Sequence, residues 1–133
     1  MIVVNGVYAL VISVGKSIRI KVGALGALRF EKGMYIYVGS AQKGLKKRVQ
    51  RHLRREKRMF WHIDYLLNIK TVKVTKVFCR NAEKDAECKI AMEIGKHGVA
   101  VDGFGSSDCR CKSHLFRIKG CSFLRCFMRE LQL

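Results

Sequence analysis

Between Lys43 and Arg58 the chain carries nine Lys or Arg residues and a single acid, Glu56, in sixteen positions. A block of this kind is usually a solvated face or a tail. Here apolar residues interrupt it at helical spacing. Leu45, Val49 and Leu53 fall at i, i+4 and i+8, which predicts one stripe on a helix over 44–57. On that helix Lys47, Arg51, Arg54 and Arg58 point outward, while Arg48 and His52 share one flank, one turn apart. A cationic helix held down by a narrow apolar seam suits a folded domain that tracks phosphates.

The rest of the composition agrees with a packed domain. The chain has 133 residues, 27 Lys plus Arg against 10 Asp plus Glu, and 49% apolar residues. That apolar share excludes a disordered basic tail, and the length predicts one domain, 1–133, able to bury a core without staples. The net charge of +17 is uneven. Residues 1–80 hold 18 basic residues and three acids, and residues 81–133 hold nine and seven. The longest apolar runs are about seven residues, too short to span a bilayer. Met1-Ile-Val-Val-Asn5 has no basic region followed by a long apolar one, so no secretory leader is expected. These features predict a compact cytoplasmic protein, a monomer with no membrane partner, that meets a polyanion.

Elements alternate along the chain. Val7–Val14 reads as a strand and Ile18–Val22 alternates with period two, together a hairpin. Met34–Val38 is a further strand, Phe60–Asn68 a short helix and Thr71–Phe78 a half-exposed strand. Ala82–His97 reads as a helix closed by Gly98, Val101–His114 as a loop, Leu115–Ile118 as a strand, and Ser122–Leu131 as a final helix docking through Phe123, Leu124, Phe127, Met128 and Leu131. The expected class is α+β or α/β: a small antiparallel or mixed sheet flanked by helices.

Gly39-Ser-Ala-Gln-Lys-Gly44 is not a phosphate loop, because Leu45-Lys46 stand where Lys and Ser or Thr must follow the second glycine. Two tyrosine motifs carry more. Gly6-Val7-Tyr8 lies in the first strand, and Tyr37-Val38-Gly39 ends the strand before the basic helix that holds Arg48 and His52. This chain resembles the GIY-YIG nuclease superfamily, whose two name-giving motifs these match. It also resembles a small, mostly archaeal branch that stands alone or is fused to an endonuclease III-like repair glycosylase, through Trp61-His-Ile-Asp-Tyr-Leu66, Ala86-Glu-Cys88 and Gly103–Phe116. The match covers nearly the whole chain up to the final helix. One departure is clear: 28 residues separate Tyr8 from Tyr37, where about ten are usual in the superfamily, so an extra hairpin must lie between the motif strands and could narrow the site.

A carboxylate is the next requirement. In the helix over 82–97, Ile90, Ala91 and Ile94 define the apolar face, and Glu87 stands three, four and seven residues before them. An inward carboxylate is costly unless paired or metal-bound, so Glu87 is either in a buried salt bridge to the basic helix or a metal ligand. The resemblance points to Glu87 as the metal glutamate. It implies metal-dependent hydrolysis of phosphodiesters, DNA more than RNA, with a possible place in DNA repair. Glu87 would hold Mg²⁺ or Mn²⁺, Arg48 the phosphate, Tyr8 the water's proton, and Tyr37 and His52 would orient the reactants. Lys43, Lys46, Lys47, Arg51, Arg54, Arg55 and Arg58 would track the backbone, and Trp61 would either stack on bases or anchor the second helix. A non-catalytic nucleic-acid-binding module on the same fold is the alternative. Of the six cysteines, Cys109 and Cys111 with His114, and a fourth ligand from Cys88, Cys79 or Cys121, are a possible structural zinc set. Packing as small hydrophobes and a disulfide are the other readings, and Cys111 paired with His114 or His62 as a nucleophile is the weakest of them.

Overall fold

A computed structural model describes residues 5–106 and 111–132. Its centre is a strand whose sequence has no polar face. β1 (Gly6–Val14) is buried at every position but Ser13, as a continuous apolar run requires when both sides of a sheet are covered. β4 (Gly33–Ala41) and β5 (Val72–Arg80) pair with β1 on its two edges, with a bulge in the β5 register between Val11 and Ile12. β6 (Gly98–Ala100), β7 (Leu115–Ile118) and β8 (Arg129–Glu130) complete a six-stranded sheet in the order β6-β7-β4-β1-β5-β8. Every pairing described is antiparallel.

The two faces of β1 feed two apolar layers. Tyr8, Leu10 and Ile12 pack with Tyr37, Leu45, Val49, Ile63 and Leu66, beneath α1 (Leu45–Leu53) and α2 (His62–Leu67). Val7, Ala9 and Val11 pack with Phe78, Ile90 and Ile94, beneath α3 (Ala86–Gly95). The fold is α+β, a mostly antiparallel sheet between helices. No helix among the described residues is long and apolar enough to cross a membrane.

The expected extra hairpin is present. β2 (Ile18–Lys21) and β3 (Ala27–Phe30) form their own two-stranded sheet. They connect the end of β1 to the start of β4, so they lie at the opposite end of the sheet from Tyr8 and Gly39, and no hairpin residue lines the cleft described below. The insertion does not narrow that cleft. Its Phe30 meets Phe104 edge-on, and Phe104 in turn meets Tyr37, so it buttresses the tyrosine from behind.

Other readings change. β2 is not the hairpin partner of β1, because β1 has both edges taken by β4 and β5 and β2 pairs with β3 instead. α3 starts at Ala86 rather than Ala82. Three further segments differ. The basic helix stops at Leu53 rather than Lys57, because Arg54 turns extended and Lys57 Nζ caps the carbonyls of His52 (2.7 Å) and Arg51 (3.4 Å). Gly98 does not close α3. It opens β6 opposite Ile118, where a Cβ would collide with the carbonyl oxygen of Arg117. The final helix over 122–131 does not form. Ser122–Cys126 makes a short 3-10 segment, after which Arg129 and Glu130 cover the open edge of β5 and the Leu131 amide donates to Val77 O at 2.7 Å. Satisfying an exposed sheet edge outweighs the weak helix propensity of a segment rich in Phe and Cys.

The two helices over the first layer are joined by an ion pair. Arg51 forks onto both Asp64 oxygens at 3.0 and 3.1 Å, and Asp64 is fully buried. Asp64 Oδ2 also accepts the amides of Phe60 and Trp61, each at 2.9 Å, which starts α2. Burial alone would raise the Asp64 pKa; the Arg51 fork and the two amides outweigh it and hold it below the ordinary value. Removing one partner strands a buried charge. Asp64→Ala is expected to destabilise the fold by about 3 kcal/mol in chemical denaturation, whereas Arg54→Ala, at an exposed position, changes stability by less than about 0.5 kcal/mol.

Candidate functional site

Tyr8 and Tyr37 stand on one face of the sheet because Tyr8 pairs with Gly39 and Leu10 with Tyr37 in the β1–β4 register. Gly39 is a spatial requirement: a Cβ there would collide with the Tyr8 hydroxyl, so only glycine lets the Tyr8 ring lie across β4. The basic helix closes over this spot. Its buried positions are Leu45, Val49 and His52, while Leu53 is 42% exposed. The seam therefore runs i, i+4, i+7 rather than i, i+4, i+8. At 3.6 residues per turn, i+7 returns to within about 20° of the first position, and i+8 is about 80° away.

That choice places His52 on Tyr8. The Tyr8 hydroxyl and His52 Nε2 are 2.7 Å apart, and the His52 ring meets Tyr37 edge-on. Burial pushes the His52 pKa down to about 3, so the imidazole is neutral at neutral pH. Its Nδ1 is buried with no hydrogen-bond partner among the described residues. Burial likewise pushes Tyr8 and Tyr37 above the ordinary tyrosine value; Arg48 opposes the rise at both.

Arg48 is fixed from two sides. Its Nη1 donates to Ser40 O at 3.2 Å, and its guanidinium lies over the Trp61 ring, 4.8 Å from the centroid. Arg51 lies over the same ring at 4.4 Å. Trp61 packs against the core layer and positions Arg48, and it also lines the cleft described next.

Tyr8, Tyr37, Arg48, Trp61, Glu87 and His114 line one cleft of about 520 Å³. Lys43 and Lys84 also line it, so among the described residues three cations face one carboxylate there. Glu87 sits in the first turn of α3, where the helix dipole favours a negative charge. Its side chain is 19% exposed, and Oε1 lies 3.9 Å from Nδ1 of the buried His114. His114 reaches the cleft because its backbone is stitched to Val38 and Phe104. Lys84, Gly105 and His114 were not singled out as cleft residues by sequence. The Gly103–Phe116 string hinted at Gly105 and His114 but not at Lys84, which lies just before α3.

The other expected contacts divide. Lys43, Lys46, Lys47, Arg54 and Arg58 are exposed. Arg51 does not point outward, being committed to Asp64. Arg55 is held by carbonyls, among them Ile69 O at 2.9 Å and Val72 O at 3.2 Å. Both work inside the fold, because unpaired carbonyls and one buried carboxylate lie within their reach. His62 Nδ1 accepts the Gly105 amide at 2.9 Å and does not face Cys111 as a base. Of the soft ligands, Cys111 and His114 come together, with Cys88 as the third member; Cys109 lies outside the described residues. Cys88 and Cys111 are joined as a disulfide, while Cys79, Cys121 and Cys126 are free.

Fold and cleft define an α+β protein with a cationic cleft at one end of its sheet. The chain belongs to the domain of unknown function family DUF123, whose profile matches residues 7–132. No curated protein and no solved structure matches it.

Because His52 is buried neutral, acid should loosen this site. Above the unfolded pKa near 6.5 the imidazole is neutral in both states and contributes no pH dependence. Below it the unfolded chain takes the proton and the fold resists it, so stability falls steadily from about pH 6.5 toward pH 3. The loss between pH 7 and pH 5 should be about 2 kcal/mol. Urea titrations at the two pH values should show a correspondingly shallower loss in His52→Gln, which keeps an acceptor for Tyr8. The contribution of His62, whose pKa burial also lowers, remains in both proteins.

Proposed function

We propose that this protein is a metal-dependent nuclease that hydrolyses phosphodiester bonds, DNA in preference to RNA, at the cleft between Tyr8 and Glu87. The observation that carries the reading is the convergence of both motif tyrosines, Arg48 and Glu87, drawn from β1, β4, α1 and α3, on one cleft. The resemblance to the GIY-YIG superfamily supports the same assignment, and its repair-linked branch supports DNA as the substrate and repair as the setting.

The donor set fits a hard divalent ion. Glu87 is a single half-buried carboxylate in a roomy polar cleft, which suits Mg²⁺ or Mn²⁺, ions that keep several waters and take the rest of their oxygen ligands from phosphate. Bound there, such an ion would supply Lewis-acid stabilisation and a more acidic water. The chain's own groups do the rest. Arg48, held by Ser40 and Trp61, has guanidinium donors left for a phosphate whose charge grows during attack. Lys43 and Lys84 draw the polyanion in. Tyr8 is poorly suited to stand as a phenolate, since burial raises its pKa. The 2.7 Å contact with His52 offers a way round: Tyr8 takes a proton from water as its own passes to Nε2 of neutral His52. The imidazolium, kept acidic by burial, gives this proton back to Tyr8 as the proton taken from water passes on from Tyr8 to the departing oxygen, so both protons are accounted for.

Incubation of the protein with end-labelled DNA and RNA in Mg²⁺ or Mn²⁺ should yield cut products. Glu87→Gln and Arg48→Ala should each slow cleavage by about 10²-fold or more, and Tyr8→Phe by about 10²–10⁴-fold, with salt-sensitive binding retained. Cleavage by Glu87→Gln at the wild-type rate would overturn the assignment. The costly phenolate favours one second reading, a non-catalytic binding module, whose signature is salt-sensitive binding with no cleavage in any divalent ion.

A further inference from the structure

A second group of ligands of different chemistry lies directly behind Glu87. Cys88 follows it on α3, while Cys111 and His114 come from the segment that leads into β7. One ligand atom from each lies within 4.8 Å of the others. The Cys88 and Cys111 Cα atoms are 6.0 Å apart. His114 Nε2 is 3.9 Å from Cys88 Sγ, and its side chain is only 3% exposed.

The disulfide joins two of these residues, and His114 lies against Cys88 on one side and Glu87 on the other. With Zn–S near 2.3 Å and Zn–N near 2.0–2.1 Å, tetrahedral geometry separates sulfur and nitrogen ligands by about 3.5 Å. The Cys88–His114 separation is within a few tenths of an ångström of that edge, and once the disulfide is reduced, side-chain rotation must part the two sulfurs to the sulfur–sulfur edge of about 3.8 Å. Two thiolates and an imidazole are soft and borderline ligands that select zinc over magnesium. The outer nitrogen of the same imidazole, Nδ1, faces Glu87 at 3.9 Å, in the manner of metal-bound histidines whose second nitrogen leans on a carboxylate.

We propose that Cys88, Cys111 and His114 Nε2 supply three protein ligands of a zinc site, with water in the fourth position, that clamps the start of α3 to the approach of β7 and sets the position of Glu87 at the cleft. The site stands whether or not the cleft cuts nucleic acid. Starting from the disulfide, the metal form is reached by reduction. A dithiol delivers two electrons and two protons, splits the S–S bond into two thiols and closes to its own disulfide. Zinc then displaces the two thiol protons as it binds.

The test begins with the wild-type protein, purified with a thiol reductant and without chelator, and measured by elemental analysis. About one zinc per chain is expected. Replacement by Co²⁺ should give a thiolate-to-cobalt charge-transfer band, and stripping with a chelator should lower Tm, with recovery on adding Zn²⁺. Cys88→Ser, Cys111→Ser and His114→Ala should each lose the metal and the band, whereas Cys126→Ser, at an exposed free cysteine, should keep both. Absence of zinc from reduced wild-type protein after incubation with Zn²⁺, or full zinc retention by the Cys88→Ser/Cys111→Ser double variant, would overturn the proposal. The wild-type measurement decides even if a variant fails to fold, and metal content is read without reference to cleavage.

Discussion

Everything in this fold is arranged around the burial of β1 on both sides. A strand of Val, Ala, Leu and Ile with hydrogen-bonded neighbours on both edges must have an apolar layer on each face, or half of it meets water. One layer is supplied by α1, α2 and the Phe104 loop, the other by α3 and the 3-10 segment. Tyr8 is the residue where this constraint meets the cleft. Its ring is packed as core, and its hydroxyl ends at the sheet's open end, against His52.

The excess charge is partitioned by what lies within reach. Arg51 and Arg55 are spent on a buried carboxylate and on loop carbonyls, and they fasten α1 to α2 and to the start of β5. Arg48 is held part-way, by one carbonyl and one aromatic face, which fixes its direction while leaving donors unspent. Lys43, Lys46, Lys47, Arg54 and Arg58 stay in solvent and contribute the long-range field. A cationic surface thus surrounds a cleft whose single lining carboxylate, among the described residues, is Glu87.

Glu87 and Cys88 are neighbours on one helix turn but belong to different chemistries. The carboxylate faces the polar cleft, while the thiol faces Cys111 and His114. His114 touches both, through opposite ring nitrogens. The placement of the acidic residue is therefore tied to the loop before β7, a segment 24 to 27 positions later in the chain.

Much of this was legible without coordinates. The apolar run of β1, the basic helix and the inward turn of Glu87 follow from periodicity and from where side chains can be buried, and the inserted hairpin follows from the spacing of the two tyrosine motifs set against the resemblance. The chain alone also assigned the two tyrosine motifs to strands, since each overlaps a run of apolar and β-branched residues. Three-dimensional contact decided the remainder. Whether Leu53 or His52 completes the seam depends on a Tyr8 hydroxyl 44 residues away. Whether Arg51 is a surface cation depends on Asp64, and whether 122–131 is a helix depends on the free edge of β5. Periodicity reports which face of an element is apolar, but the partner of a polar group is set by residues distant in sequence. Only the packed structure brings those together.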